Sequence, residues 1–263
     1  MERIGKSHDK FHLMKDYIKT NHYKDITASD DLQVLKIAVD NGLKIELLFY
    51  DYETTYKENT KELLDKLISV SKETYEISHQ SYEALSLKDN HAGIIAAIKL
   101  NKYKKEDFKN FNFIMVLDHL EIPGNIGTIY RTLDSAKCDG VILVDPISKI
   151  NNDRITSSSR GCNLIIPTLS LSYMEAKELL IEYGFTPYLG EPILGHDYQE
   201  YSYNDKTALV VGNERFGINP DWYNQKANKV FIPMEGNQNS LNVGVAASIL
   251  AYEVYMKKYY KRG

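Results

Sequence analysis

The sequence predicts an α/β protein with a small N-terminal α/β unit and a larger C-terminal unit built on a parallel sheet. Three observations indicate this organisation. Helical and strand patterns alternate along the chain, a polar, lysine-rich stretch at residues 101–110 separates two such alternations, and the strands after this stretch are more uniformly apolar than those before it. Continuously apolar strands separated by helices are typical of a parallel sheet that is covered on both faces.

Length and composition are those of an ordinary globular protein. The 263 residues suit one large domain or two of moderate size, and 43% of them are hydrophobic. The 32 Lys and Arg residues against 36 Asp and Glu give a net charge of −4, which argues against a non-specific nucleic-acid coat protein but allows local basic patches. No segment predicts a signal peptide or a membrane span, so we expect a cytoplasmic protein without membrane contact.

The N-terminal unit is predicted to alternate between helix and strand over residues 1–100. Its apolar residues recur on one face in the helices and run continuously in the strands. The predicted elements are a helix capped by Ser29 or Asp30 and ended by Gly42, a strand at 43–50, a helix at 61–70 and a strand at 93–98. Residues 101–110 show neither pattern, and we interpret them as a linker.

The C-terminal unit is predicted to cover residues 111–263. Its strands are predicted at 113–117, 141–144, 209–211 and 230–233. A final helix at 241–260 is apolar nearly all round, which implies burial against its own sheet and against a second surface, most simply a second subunit. Because parallel sheets bind ligands at the carboxyl ends of their strands, three polar loops at those ends are the place to look for chemistry.

The first of these loops leads from a strand into a helix and contains Asn125 and Arg131. Asn125 is a good helix cap, and Arg131 lies on the polar side of the helix that follows. An arginine there is usually a surface charge, and its functional interpretation is a phosphate clamp or a group that faces a polar substrate. The spacing of Gly124 and Gly127 could also indicate a KH-type RNA loop. The GxGxxG and P-loop signatures are absent, so neither a classical dinucleotide site nor an NTPase is indicated.

The second loop, residues 212–217, directly follows an apolar strand and reads Gly-Asn-Glu-Arg-Phe-Gly. A glycine at a strand end lets the backbone approach a ligand closely, and the adjacent carboxylate of Glu214 can bind a donor. A plain tight turn is an equally good interpretation of this loop by itself.

The third loop, residues 232–243, joins a strand to the final helix and reads Ile-Pro-Met-Glu-Gly-Asn-Gln-Asn-Ser-Leu-Asn-Val. Ser240 is an excellent N-cap residue, so its role can be purely structural. Each loop is thus ambiguous when it is taken alone.

In their combination and order, the three loops resemble the three motifs of the SpoU/TrmH class of SPOUT RNA methyltransferases. The matching patterns are Asn-x-Gly-x-x-x-Arg, then Gly-Asn-Glu-x-x-Gly, then Ile-Pro-Met followed by Ser-Leu-Asn-Val, and the resemblance covers roughly residues 111–256. The N-terminal unit is similar to the L30e-like RNA-binding domain that many members carry. The two-domain layout looks most like the thiostrepton-resistance type of rRNA methyltransferase.

This resemblance implies a deep trefoil knot whose loops hold S-adenosylmethionine. By that likeness, the residues whose backbone contacts the cofactor are Leu189 or Gly190, Gly212, Ile232, Met234 and Leu241. The same likeness identifies the polar catalytic set as Asn125, Arg131, Glu214, Ser240 and Asn242. No metal is needed, and no cluster of His, Cys and carboxylate residues in the sequence suggests one.

The chemistry explains why these residue types are needed. A sulfonium is already a strong methyl donor, so the protein has to align the ribose 2′-oxygen with the methyl carbon and help to remove its proton. The family's arginine is the proposed proton acceptor or phosphate anchor, and we favour the anchor for Arg131 because arginine is so rarely deprotonated. Arg215, Phe216 and Gly244 depart from the residues common at their positions, which leaves the shape of the substrate side open.

The function that the resemblance implies is methylation of a ribose 2′-hydroxyl in structured RNA, with ribosomal RNA ahead of transfer RNA. The implied enzyme is a homodimer that pairs through the C-terminal helix. Two alternatives stay open: a non-catalytic RNA-binding protein on the same fold, and an S-adenosylmethionine enzyme that acts without RNA. Attraction to RNA would come from local patches such as the Lys and His residues between Lys6 and Lys19.

Overall fold

The computed structural model of the protein divides into two compact units. Unit 1 comprises Met1–Lys102 and Lys149–Ile165, and unit 2 comprises Tyr103–Ser148 and Ile166–Gly263. The residues that the structure describes are 1–19, 23–86, 92–224 and 226–260. Within these ranges, no helix is long and apolar enough to cross a membrane.

Unit 1 is built on one mixed sheet. Its elements before residue 103 are β1 (Glu2–Arg3), α1 (Asp9–Lys19), β2 (Ile26–Ser29), α2 (Leu32–Asp40), β3 (Ile45–Asp51), α3 (Glu58–Val70), β4 (Thr74–Ile77), α4 (His79–Glu83) and β5 (Ile94–Lys99). The strand order is β1-β4-β3-β5-β2, with β3 parallel to β4 and antiparallel to β5. Leu48 and Phe49 lie in different cores, so β3 is buried on both faces, which explains its continuous apolar run.

The cap predicted for the second helix was wrong. Asp31 is the N-cap of α2, and its side chain accepts a hydrogen bond from the backbone N of Gln33 at 2.9 Å. Ser29 instead ends β2, and Asp30 is buried. The other predicted elements of this unit are present with ends shifted by up to three residues, whereas β1, α1, β2, β4 and α4 were not predicted.

The stretch 101–110 is more than a linker. Lys105–Asn110 form a 3₁₀ helix, and Phe108 is fully buried in the core of unit 2. A Cβ on Gly140 would come within 2.9 Å of the Phe108 ring, so only glycine permits this contact. Phe108 and the partly buried Tyr103 therefore attach the segment to unit 2, and their polar neighbours conceal this in the sequence.

Unit 2 is built on a parallel sheet. The elements after the 3₁₀ helix are β6 (Phe113–Asp118), α5 (Pro123–Ser135), β7 (Gly140–Val144), α6 (Asp153–Ser158, part of unit 1), β8 (Thr168–Leu171), α7 (Tyr173–Tyr183), β9 (Thr186–Glu191), β10 (His196–Asp197), β11 (Thr207–Val211), β12 (Asn228–Phe231) and α8 (Val243–Lys258). The seven strands lie in the order β10-β12-β9-β11-β6-β7-β8. Each described pairing is parallel, as predicted from the apolar strands. The trefoil knot stays a prediction.

Residues Lys149–Ile165 leave unit 2 and pack within unit 1. The Nδ2 of Asn151 donates to the carbonyl of Ile26 at 3.0 Å, and Leu164 is buried in the core that contains α2. Gly161 has a φ of +90°, and a Cβ there would meet the Cα of Val34 at 3.2 Å. The division predicted at residue 111 therefore differs from the structure, because this segment returns to unit 1.

Candidate functional site

A cavity of about 480 Å³ opens in unit 2 at the carboxyl ends of β9, β11 and β12, beside the start of α8. This is the edge at which parallel sheets bind ligands, and the volume lies in the range of small-molecule sites. The predicted site residues that line it are Asn125, Gly190, Gly212, Glu214, Ile232, Met234, Ser240, Leu241 and Asn242. The three loops chosen from the sequence therefore meet at one cavity.

Two predicted residues lie outside this lining. Leu189 is fully buried between the neighbours of β9, so of the two alternatives at this position Gly190 faces the cavity. Arg131 lies two turns beyond the start of α5, is exposed, and does not line the cavity. Its position separates it from the cofactor-sized space and leaves it open to a larger ligand.

Three of the polar residues form one hydrogen-bonded chain. The Nδ2 of Asn125 donates to Glu214 Oε1 at 2.9 Å, and the Nδ2 of Asn242 donates to Asn125 Oδ1 at 3.2 Å. The Glu214 carboxylate also accepts from the backbone N of Glu121 at 3.3 Å and of Ile122 at 3.4 Å. A carboxylate at the N-terminus of α5 is favoured by the helix dipole, so Glu214 fixes the first loop against the second.

The structure corrects two predicted helix caps. Asn125 does not cap α5, because the helix begins at Pro123 and the side chain of Asn125 is directed to Glu214 instead. Ser240 does not cap α8 and is exposed at the cavity mouth. The N-cap of α8 is Asn242, whose Oδ1 accepts from the backbone N of Gly244 at 2.9 Å. Asn242 thus holds both the helix start and Asn125.

The second loop is rigid because Gly212 and Asn213 permit a tight backbone approach. A Cβ on Gly212 would lie 2.2 Å from the carbonyl carbon of Gly217, so no other residue fits there. Asn213 and Gly217 exchange two backbone hydrogen bonds of 2.9 Å each. The Nδ2 of Asn213 donates to the carbonyl of His119 at 2.8 Å, which ties the loop to the end of β6. Asn213 was not among the predicted site residues.

Glu191 is a cavity residue that sequence reasoning missed. It is the last residue of β9, lines the cavity, and accepts a hydrogen bond from the hydroxyl of Tyr223. Burial, followed by this hydrogen bond to the carboxylate, raises the pKa of Tyr223. The available signal was its place in Gly-Glu-Pro, at the end of a strand that was itself not predicted.

The arrangement suits a reaction whose reactivity comes from a bound cofactor. Backbone at the three glycines Gly190, Gly212 and Gly217 and apolar side chains form much of the lining, and the Glu214 carboxylate already accepts three hydrogen bonds. Among the residues that the structure describes, no group of three or more His, Cys, Asp or Glu side chains could hold a metal ion. The site can position reactants and orient hydroxyl groups.

Comparison with known families identifies the class of protein. Residues 112–252, more than half of the chain, match the model of the SpoU rRNA Methylase family. The fold and the three converging loops are thus those of an RNA methyltransferase. The chain belongs to the SpoU rRNA Methylase family, which confirms the resemblance drawn from the three loops.

Relatives of this chain include proteins named for action on RNA. The 23S rRNA (guanosine(2553)-2′-O)-methyltransferase RlmP of Bacillus subtilis is 26% identical over 93% of each chain. A putative TrmH family tRNA/rRNA methyltransferase of Staphylococcus haemolyticus is 31% identical over 64% of this chain and 72% of its own.

Solved structures share the fold over nearly the whole chain. The AdoMet-bound rRNA methyltransferase from Sinorhizobium meliloti has a TM-score of 0.85 at 19% identity and covers 99% of both chains. The SpoU methyltransferase AviRb from Streptomyces viridochromogenes, in complex with AdoMet, has a TM-score of 0.81 at 20% identity and covers 95% of this chain and 99% of its own. The predicted α/β class with a parallel sheet in the second unit is therefore confirmed.

Proposed function

We propose that this protein transfers a methyl group from S-adenosylmethionine to a ribose 2′-hydroxyl of structured ribosomal RNA, and that it works in the cytoplasm. The observation that carries the proposal is the convergence of three loops on one cavity, where Glu214, Asn125 and Asn242 form a continuous hydrogen-bonded chain. Membership of the SpoU rRNA Methylase family and the name of the Bacillus subtilis relative support ribosomal RNA as the substrate.

The cavity fits S-adenosylmethionine by its size, its glycines and its apolar lining. The residues that would hold the cofactor are Gly190, Gly212, Ile232, Met234 and Leu241. When it is bound, the sulfonium supplies an activated methyl group, so the protein's own task is alignment and proton handling. AdoMet in two structures of the same fold supports this assignment.

The polar residues have separate tasks in this proposal. Ser240 and Asn242 orient the ribose at the cavity mouth, while Glu214 holds Asn125 in place. Arg131 anchors a phosphate of the RNA backbone, which agrees with its exposure outside the cofactor cavity. Because a guanidinium keeps its charge, a neighbouring phosphate or water takes the proton of the 2′-hydroxyl.

We propose that unit 1 is an L30e-like RNA-binding unit that selects the substrate. Its basic stretch from Lys6 to Lys19 is partly neutralised, since Lys10 pairs with Glu73 at 2.6 Å. The side chain of Lys19 lies outside the described residues. The pairing of Lys10 lowers the positive charge of this stretch, which favours recognition of folded RNA by shape and unpaired bases over a strong charge attraction.

We further propose a homodimer that forms through α8. This helix exposes Val245, Tyr252 and Met256, with 47%, 44% and 41% of their surface accessible. Three exposed apolar side chains on one terminal helix favour a partner surface. Leu250, in contrast, is 1% exposed and belongs to the fold of the single chain.

Transfer RNA is the second candidate substrate, because the Staphylococcus haemolyticus relative is named a tRNA/rRNA methyltransferase. An experiment on the full chain tests both. Calorimetry with S-adenosylmethionine is followed by incubation with protein-depleted 23S rRNA or with bulk tRNA, and 2′-O-methyl groups are mapped by mass spectrometry. We expect binding, and methylation of the rRNA.

Matched variants make this experiment specific. Asn125→Ala should lose methyl transfer, whereas Glu178→Ala, an exposed change on α7, should behave as the wild type. Folded wild-type protein that binds no S-adenosylmethionine would contradict the proposal. Methylation of tRNA but not of rRNA would contradict ribosomal RNA as the substrate and would support the proposed reaction on transfer RNA.

A further inference from the structure

Phe216 is the most exposed large apolar side chain among the described residues, with 80% of its surface accessible. It lies two residues after Glu214 in the second loop, and Arg215, the residue between them, is also exposed. An exposed phenylalanine has no role in the fold of the single chain. Its position next to the reaction site is therefore the feature that needs an explanation.

The loop holds Phe216 in a defined position. The Oδ1 of Asn213 accepts from the backbone N of Arg215 at 2.8 Å and of Phe216 at 3.1 Å, and two backbone hydrogen bonds join Asn213 to Gly217. An aromatic ring on a fixed backbone loses little conformational entropy when a planar ligand stacks on it. The Phe216 ring is thus an exposed stacking surface for a planar ligand.

A second pocket, of about 220 Å³, lies against the other side of this loop. Phe216, His119 and Asp145 line it, and Asn213 and Gly217 line both this pocket and the cofactor cavity. The two sites therefore share a wall. The smaller pocket has less than half the volume of the cofactor cavity, so it suits a smaller polar ligand.

Two residues that line the smaller pocket have left-handed backbone conformations. His119 has a φ of 56° and Asp145 a φ of 42°, both in the left-handed region, and the ring nitrogen Nδ1 of His119 lies 2.9 Å from the carbonyl of Asp145. Non-glycine residues in such conformations are costly and often mark functional sites. Here they place polar groups beside an exposed aromatic ring.

We propose that Phe216 and this pocket form a nucleobase subsite of the substrate RNA, an inference that rests on the proposed function. An unpaired base stacks on the Phe216 ring, and its polar edge faces His119 and Asp145. RNA-binding proteins recognise splayed bases by stacking on aromatic side chains together with hydrogen bonds to the base edge. The shared wall then presents the ribose next to this base to the cofactor cavity.

The test uses the full chain and measures affinity for protein-depleted 23S rRNA separately from methyl transfer. Phe216→Ala should weaken RNA binding roughly 10- to 100-fold, while Phe216→Trp should stay near the wild type because it restores stacking. Ile193→Ala is the matched control, because Ile193 is 75% exposed and lines neither pocket. Affinity for S-adenosylmethionine should be the same in all four proteins.

The outcomes separate this inference from the proposed function. Unchanged RNA affinity in Phe216→Ala overturns the subsite even if the wild type methylates RNA. A selective loss that Phe216→Trp rescues supports the subsite, even if wild-type methyl transfer is not observed and the proposed reaction fails. Sedimentation is the second measurement, since dissociation of a wild-type dimer by Phe216→Ala would assign the ring to a subunit interface and overturn the subsite.

Discussion

Glu214 and Asn125, 89 residues apart in the chain, form a hydrogen bond of 2.9 Å that joins the second loop to the start of α5. The same carboxylate accepts a hydrogen bond from the backbone N of Ile122, so the Glu214 side chain positions the whole first loop. The pair is a positioning device on which the geometry of the cavity depends.

Glu214→Gln should therefore lower both stability and activity. An amide cannot accept all the hydrogen bonds that the carboxylate accepts, and we expect a loss of about 1–2 kcal/mol in the free energy of unfolding together with a large fall in methyl transfer. Thermal denaturation and a transfer assay measure the two effects. Wild-type stability in this variant would show that the pairing with Asn125 contributes little.

Glu191→Gln should weaken binding of S-adenosylmethionine more than binding of its product, S-adenosylhomocysteine. Only the methyl donor carries the sulfonium charge that a cavity carboxylate stabilises, and we expect roughly a tenfold difference, or about 1.4 kcal/mol. Calorimetry with both ligands measures it. Tyr223→Phe, which removes the hydroxyl bound to Glu191 but keeps the charge, is the control and should retain the preference. Equal loss for both ligands contradicts the charge argument.

Arg131→Ala should abolish methyl transfer and leave the affinity for S-adenosylmethionine within a few-fold of the wild type. The reason is that Arg131 is exposed and lies outside the cofactor cavity. Parallel calorimetry and transfer assays decide the matter. If cofactor binding is lost, the anchoring role assigned to this arginine is wrong.

Tyr252→Glu should give folded monomers, because Tyr252 is exposed on α8, whereas Leu250→Glu should give unfolded or insoluble protein because Leu250 is buried in the single chain. Analytical ultracentrifugation at micromolar concentration, with circular dichroism as the folding check, separates the two effects. A wild-type monomer in the same experiment would rule out the proposed interface.

The stability of unit 1 should depend on pH through Asp51 and His79, because the Nδ1 of His79 lies 2.7 Å from the Oδ2 of Asp51. Burial alone would raise the pKa of Asp51, but hydrogen bonds from Thr54, the backbone of Glu53 and His79 hold it below its ordinary 3.8. The stabilisation that the Asp51 carboxylate contributes is complete above its pKa in the unfolded chain. It is lost as the pH falls through the lower pKa that Asp51 has in the folded protein. The hydrogen bond to Asp51 raises the pKa of His79 above 6.5, so its contribution is complete below 6.5 and is lost as the pH rises through the folded pKa.

Urea denaturation between pH 3 and 9 checks this dependence. Asp51→Asn should lower the free energy of unfolding and weaken its dependence on pH at both the acid and the alkaline end. His79→Asn should remove the loss of stability at alkaline pH (the alkaline limb) and leave much of the loss at acid pH. An unchanged alkaline limb in His79→Asn would assign it to another group.

The sequence predicted β6, β7, β11 and β12 but not β8 or β9, and it predicted the three loops that meet at the cavity. Burial on two faces leaves a continuous apolar run, as in β6 and β11, that local composition reveals. The short strand β10 and the two-residue β1 leave no such run and were missed. The burial of Phe108 was missed for another reason. A single buried ring among polar neighbours gives no hydrophobic periodicity that could predict a helix or a strand.

By itself the sequence determined the family, the α/β class, and cavity residues such as Gly212, Glu214 and Ser240, because close backbone approach and strand-end chemistry demand particular residue types. Only the tertiary structure decided that Asn125 binds Glu214 instead of capping a helix, that Asn242 and not Ser240 begins α8, and that Arg131 lies outside the cavity. These outcomes depend on distances between segments far apart in the chain. Local periodicity carries no information about such distances, since they arise only when the strands pair in register.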